Sequence, residues 1–179
     1  MDTIIFATGN KNKMIEIRMI LADLGCRILS QKEAGIQADV VEDGQTFEEN
    51  ALIKATTDIA RKMPEYKNAV VLADDSGLEI DALNKEPGIY SARYMGEDTS
   101  YDIKNQALID RLEGVPDEKR TARFVCAIAA ALPDGSTERW KVVLVMRSQG
   151  KMDSDMIRSF ICRSLAAAVR NLNRRRKMN

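Results

Sequence analysis

Residues 69–73 form an apolar run that ends on Asp74-Asp75-Ser76-Gly77, and this junction constrains the chain more than any other stretch. A short apolar run bounded by polar residues suits a buried strand. Successive strand side chains point to opposite faces, so only one of two neighbouring carboxylates can reach a given site. The other must pair, cap a turn or face solvent. A carboxylate at a strand end, beside a hydroxyl and a glycine, is suited to holding a hard divalent cation near a phosphate. The same four residues are also good turn chemistry, so a plain turn is the alternative reading of this stretch alone.

The flanking segments set the fold class. Residues 3–7 read as a short strand, broken by Thr8-Gly9-Asn10. Helical spacing then runs over residues 11–24, through Met14, Ile15, Ile17, Met19, Ile20 and Leu21, until Gly25 stops it. Residues 27–30 suit a second strand, and 31–45 are polar and irregular. Thr46 and Glu49 form a capping box that opens a helix expected over 46–63, closed by Pro64. Residues 70–73 and 78–83 are expected as two separate strands, 84–99 as a loop and 100–112 as a helix. A long apolar strand over 123–132 turns at Pro133-Asp134-Gly135-Ser136 and returns over 137–146. This alternation predicts an α/β fold, and 179 residues suit one domain, or one domain with two lobes.

Composition narrows the chemistry. At 45% hydrophobic residues, a sizeable core is available, yet no apolar run reaches the roughly 18 residues of a membrane span. The first residues lack the basic-then-apolar pattern of a secretory signal. Cys26, Cys126 and Cys162 are odd in number and widely spaced, which predicts reduced, buried thiols and a cytoplasmic location. The chain has no histidine, which removes histidine general bases, Ser-His triads and most zinc sites.

A strand, Thr8-Gly9-Asn10 and a helix make a phosphate-binding geometry. Helix N–H groups point at the ligand, and the dipole favours negative charge there. Lys11 and Lys13 oppose that dipole, so two cations in the first turn suggest an anion between them; without one, the segment is a simple capped turn. Glu42, in Glu42-Asp43-Gly44, is a second acid that could complete a cation site with Asp75, and Lys54 is a further candidate phosphate partner. The alternative is a solvated helix with Glu49 and Lys54 facing water. Cys126 and the methionines read as core.

Three segments together, Thr8-Gly9-Asn10-Lys11-Asn12-Lys13, residues 42–55 and Ala73–Leu78 with Pro87-Gly88-Ile89-Tyr90-Ser91-Ala92-Arg93-Tyr94, resemble the inosine triphosphate pyrophosphatase family. The resemblance covers residues 1–136. It implies an elongated mixed sheet flanked by helices, with two lobes and a central cleft. It implies hydrolysis of ITP, dITP and XTP to the monophosphate and pyrophosphate, with Mg²⁺, in a cytoplasmic homodimer that binds neither membrane nor nucleic acid. On this resemblance Thr8, Gly9, Asn10, Lys11, Asn12 and Lys13 would cradle the triphosphate. Glu42 and Asp75 would hold Mg²⁺, Asp75 would also accept the proton of the attacking water, Ser76 would contact substrate and Lys54 a phosphate. A related pyrophosphatase for other odd nucleotides is a variant of this reading.

The family's last fifth carries Gly-Phe-Gly-Tyr-Asp-Pro, a lysine and Ser-His-Arg, which hold the purine base; none is present here. Residues 137–179 are instead a tail outside the family pattern. From Lys151 onward eight basic residues face two acidic ones, a net of +6 that leaves −6 for the remainder of this neutral chain. Such a distribution also fits a non-enzymatic nucleotide- or RNA-binding protein with a basic arm. Codon arithmetic gives a different origin. Joining the third base of each codon to the first two of the next forces Gly from Met152-Asp153 and Asp from Met156-Ile157. Permitted codons then turn residues 148–160 into Pro-Gly-Glu-Asn-Gly-Phe-Gly-Tyr-Asp-Pro-Ile-Phe. The sequence therefore predicts a one-base frameshift near residues 136–139, with the family pattern encoded in the neighbouring frame. Residues 157–172 could still form an amphipathic helix, though one not selected to fit the body.

Overall fold

The computed structural model describes residues 3–36, 40–57, 63–146 and 154–178. Five strands form one mixed sheet in the order β2-β1-β3-β4-β5. β1 (Thr3–Phe6) pairs in parallel with β2 (Arg27–Ser30) and with β3 (Val70–Ile80). β4 (Ala122–Ala131) and β5 (Thr137–Met146) complete it as antiparallel neighbours. The parallel pairs need crossovers, supplied by α1 (Lys11–Ile20) and by the segment containing α2 (Phe47–Thr56). α3 (Tyr101–Asp110) joins β3 to β4, and α4 (Ser154–Met178) ends the fold.

β3 corrects one expectation. Residues 70–73 and 78–83 are not two strands around a turn, because Asp74-Asp75-Ser76-Gly77 lies inside one continuous strand of 11 residues. β4 supplies the reason: it pairs with β3 from Val71 to Ile80 without a break, and the ladder outweighs local turn preference. Two helix ends also differ. The first α-helix stops at Ile20 and tightens into a single 3₁₀ turn, Ala22–Leu24, before Gly25 at φ 63°. α2 ends at Thr56, and part of the expected span, residues 58–62, lies outside the described residues.

Strand alternation sorts the core. Leu72 of β3 and Phe124, Cys126, Ile128 and Ala130 of β4 pack on the face covered by α1 and α4. Ala73 of β3 and Val125, Ala127, Ala129 and Ala131 of β4 meet Phe47, Ala51 and Ala55 of α2 on the other. Alanines on both sides of that second interface let α2 lie close to the sheet. β1 ends level with Leu72, so β3, β4 and β5 run on past it. This overhang carries a satellite core of Ile80, Leu83 and Leu108 beneath α3, which makes the second lobe.

The tail forms a helix, as its spacing allows, and that helix packs on the sheet. Ile161, Cys162, Leu165, Ala166, Ala168, Val169 and Leu172 are buried in the main core. A stripe at helical spacing suffices to cover an apolar sheet face, with roughly 1.5–3 kcal/mol available per fully buried large aliphatic side chain. Cys126 and Cys162 are buried, as predicted, while Cys26 is only half-buried. Among the described residues, no helix is long and apolar enough to cross a membrane.

Candidate active site

The strand-to-helix turn is capped by Asn10, whose side chain accepts from the N–H groups of Asn12 at 3.0 Å and Lys13 at 3.1 Å. Asn10 N–H in turn donates to Thr8 Oγ1 at 3.2 Å. Gly9 leaves open space where a Cβ would stand, so an approaching ligand meets bare backbone. Phe6 pairs with Leu72, and the chain leaves the sheet just beyond, where Ala7 N–H donates to Leu72 O at 2.8 Å and Thr8 N–H to Phe6 O at 2.8 Å.

Asp74 and Asp75 take opposite faces of β3, as the alternation rule requires. Asp74 turns to the α1 face, where Lys13 Nζ donates to Oδ2 at 2.8 Å and Ser76 Oγ donates to the same oxygen at 3.2 Å. Its side chain is only 8% exposed. Burial alone would raise the Asp74 carboxyl, but the Lys13 charge and hydrogen bond outweigh it and hold the group below its ordinary value. The same balance acts on Lys13: burial pulls down, Asp74 pulls up, and the net direction is up.

Asp75 turns to the α2 face. Asn50 Nδ2 donates to Asp75 Oδ2 at 3.2 Å, and Lys54 Nζ lies 3.5 Å from Oδ1. The same Lys54 nitrogen lies 3.1 Å from Glu42 Oε2. The two acids thus converge on one cationic nitrogen. Burial pushes the Asp75 carboxyl above its ordinary value, with Lys54 and Asn50 acting against it and Glu42 adding to it. A carboxylate inclined to hold a proton is the right type of group to accept one from water.

α2 places these partners. Thr46 and Glu49 form the expected capping box, which fixes the first turn. One helical turn then aligns Asn50 and Lys54 toward β3. Lys54 faces the acids, not bulk water as a solvated helix would have it. Gly44 N–H donates to Asn50 Oδ1 at 2.9 Å, and a Cβ at Gly44 would come within 2.7 Å of that oxygen. The loop bearing Glu42 can follow this path only with glycine at 44.

A cavity of about 380 Å³ opens between the lobes, lined by Glu42, Lys54, Asp75 and Ser76 on one side and Ile89, Ala92, Arg93 and Glu97 on the other. Its far wall is held by Ser91, whose Oγ accepts from Leu78 N–H at 2.9 Å and donates to Gly88 O at 2.6 Å. Of the predicted residues, Glu42, Lys54, Asp75 and Ser76 meet at the cavity. Thr8, Gly9, Asn10, Lys11, Asn12 and Lys13 form the strand-to-helix turn and do not line this cavity; Lys13 is instead tied to Asp74 on the α1 face of the sheet. Sequence reasoning gave no role to Asn50 or to Arg93. An Asn one helical turn before Lys54, on the same helix face, is the available signal for the first. The second stands in the Pro87–Tyr94 segment with no local pattern to single it out.

Comparison with known proteins gives the family. The family model described as the Ham1 family matches residues 4–156. The chain belongs to the Ham1 family. It is 45% identical over 153 residues to a dITP/XTP pyrophosphatase of Clostridium perfringens, covering 84% of this chain and 72% of that protein. It is 46% identical over 135 residues to a dITP/XTP pyrophosphatase of Geobacter sulfurreducens, where it spans 75% of this chain but 65% of the relative. The Ham1 protein of Staphylococcus aureus superposes with a TM-score of 0.72 at 38% identity, covering 84% of this chain and 74% of that one. A Ham1-family α/β architecture is therefore the fold of this chain.

Proposed function

We propose that the chain is a nucleoside triphosphate pyrophosphatase of the class that hydrolyses ITP, dITP and XTP to the monophosphate and pyrophosphate, clearing the nucleotide pool of deaminated purines, with activity and base selectivity impaired in the chain as written. The observation that carries the reading is the convergence of Glu42 and Asp75 on one cationic nitrogen at the wall of a cavity. The names of the Clostridium and Geobacter relatives support the same substrate class.

Two carboxylates fit a Mg²⁺ that takes its remaining ligands from phosphate oxygens and water. Glu42 and Asp75 would hold it. Once bound, the ion would supply charge neutralisation for the phosphates. The chain's own groups do the rest. The Thr8–Lys13 turn would offer its open backbone at Gly9 and the Lys11 ammonium to the triphosphate, while Lys13 stays paired with Asp74. Ser76 contacts substrate, Lys54 meets a phosphate, and Asp75 takes the proton of the attacking water. Asn50 keeps the Asp75 carboxylate turned toward the cavity. A homodimer in the cytoplasm completes the proposal.

The basic-arm reading gains nothing from the structure. Arg170 donates to Ile20 O at 2.9 Å and pairs with Asp23, and Arg175 pairs with Glu138, so these cations are spent on the body. We retain the one-base frameshift as a proposal for residues 137–179. About a third of the Geobacter relative lies outside its match to this chain, in keeping with a missing base-binding segment. The test is pyrophosphate release from dITP, XTP, ITP, dATP and dGTP with Mg²⁺. Release from the deaminated nucleotides supports the reading; no release from any of the five overturns it.

A further inference from the structure

Lys54 stands where a cation would stand. Its ammonium lies within 3.5 Å of both Glu42 and Asp75, and the three side chains are 16%, 30% and 12% exposed. Two carboxylates this close and this dry repel unless a positive charge sits between them. Asp75 is fixed from the other side by the Asn50 amide, itself fixed by Gly44 N–H. One partner of Asp75 is therefore rigid, and the other is an ammonium on a flexible four-carbon stem.

Resting on the magnesium and triphosphate reading above, we infer that Lys54 is the resident counter-ion of the carboxylate pair, exchanged for the divalent cation and released toward the incoming phosphates. No bond is made or broken; one charge replaces another. A bare divalent ion must displace the ammonium with nothing to receive it. A metal–nucleotide complex brings its own anion, so the ion pairs that Lys54 gives up are replaced by phosphate contacts. Lys54 then acts as a positioning residue that weakens capture of bare metal and strengthens capture of metal with nucleotide.

Mn²⁺ binding, followed by electron paramagnetic resonance without nucleotide, tests this. Lys54→Met should bind Mn²⁺ about tenfold more tightly than wild type, from the usual size of a hydrogen bond to a charged group. Lys54→Arg should stay as weak as wild type. Lys67→Met, which removes the same charge from an exposed position away from the cavity, should change little. Lys54→Gln serves should the methionine variant not fold. With a non-hydrolysable triphosphate added, wild type should gain more Mn²⁺ affinity than Lys54→Met. If Lys54→Met binds bare Mn²⁺ no more tightly than wild type while Glu42→Gln weakens it, the counter-ion role is overturned and the metal site stands. If Glu42→Gln leaves Mn²⁺ binding unchanged, the metal site fails and this inference falls with it.

Discussion

Gly77 offers the sharpest test of how the cavity is built. It lies on the α2 face of β3, against the Gly88–Ser91 segment that forms the far wall. A Cβ at position 77 would stand 2.5 Å from Gly88 O, 2.5 Å from Ser91 Oγ and 2.9 Å from Phe47 Cε1. Non-bonded heavy atoms prefer about 3.5–4.0 Å, so Gly77→Ala must push the wall away by about 1 Å. Overpacking of this type costs about 1–3 kcal/mol. The displacement also strains the Leu78–Ser91 hydrogen bond, adding about 1 kcal/mol. For a chain of this size the sum predicts a fall in melting temperature of about 5–15 °C. Because Ile89, Ala92 and Arg93 ride on the displaced segment, KM for the nucleotide should rise as well. Adding Ser91→Ala removes one close contact but leaves Gly88 O and loses both Ser91 hydrogen bonds, so it should recover less than half of the stability. Thermal unfolding by circular dichroism and pyrophosphate-release kinetics are the assays. A Gly77→Ala protein that melts within about 1 °C of wild type, with unchanged KM, refutes the argument.

Three further outcomes follow from the site and its surroundings. Asp75→Asn should lower pyrophosphate release by about 10²–10⁴-fold while melting no lower than wild type at neutral pH. A carboxyl whose folded pKa is raised contributes stability below its unfolded pKa and loses it as pH rises, so ionised Asp75 is a net cost at pH 7. Lys13→Met should cost about 3 kcal/mol in chemical denaturation, because it strands the buried Asp74 carboxylate, and Lys13→Met with Asp74→Asn should restore part of the loss. Glu33, held at about 2 by the Ser30 N–H and then by Arg18, should contribute stability above pH 4.5 that is lost as pH falls toward 2; its exposure keeps that loss under about 1 kcal/mol, and Glu33→Gln should remove it from an acid titration.

Much of this arrangement was legible in the letters because it is local. The capping box at Thr46 and Glu49, the glycine stop at Gly25 and the hairpin at Pro133–Ser136 each depend on a few neighbouring residues. The alternation rule also foretold that one of Asp74 and Asp75 would pair elsewhere, though not that Lys13 was the partner. What escaped was long-range. The continuity of β3 through Asp74-Asp75-Ser76-Gly77 is imposed by β4, some 50 positions downstream, and nothing in the four residues announces it. Likewise Lys13 carries two opposed signals. Its place in a first helical turn suggested a mobile charge awaiting an anion, while the fold gives it a resident one. Arg93 reaches the cavity only because Gly77 lets the 88–91 segment approach the sheet.

The C-terminal helix brings the two kinds of reasoning into conflict, and the conflict is testable. Its buried stripe could be taken as proof of a fitted partner for the sheet. Yet seven small or aliphatic side chains at helical spacing will cover an apolar face whether or not selection matched them, since pattern and approximate volume are enough to dock a helix. Packing alone therefore does not oppose a shifted frame, whereas two forced codons and a continuous run of restored family residues favour one. The consequence lies in selectivity. As written, the chain keeps the Glu42, Lys54 and Asp75 side of the cavity and lacks the segment by which the resembled family grips the purine. Phosphate contacts are common to every nucleoside triphosphate, so discrimination between ITP and ATP should be nearly absent. A gene corrected by one base near codons 136–139 should regain it, visible as a rise in the ratio of kcat/KM for ITP over ATP of at least tenfold, the effect of about 1.4 kcal/mol in a base pocket. A wild-type preference for ITP already equal to that of the corrected protein would refute the frameshift's functional meaning, and the long helix would then have to supply the base contacts itself.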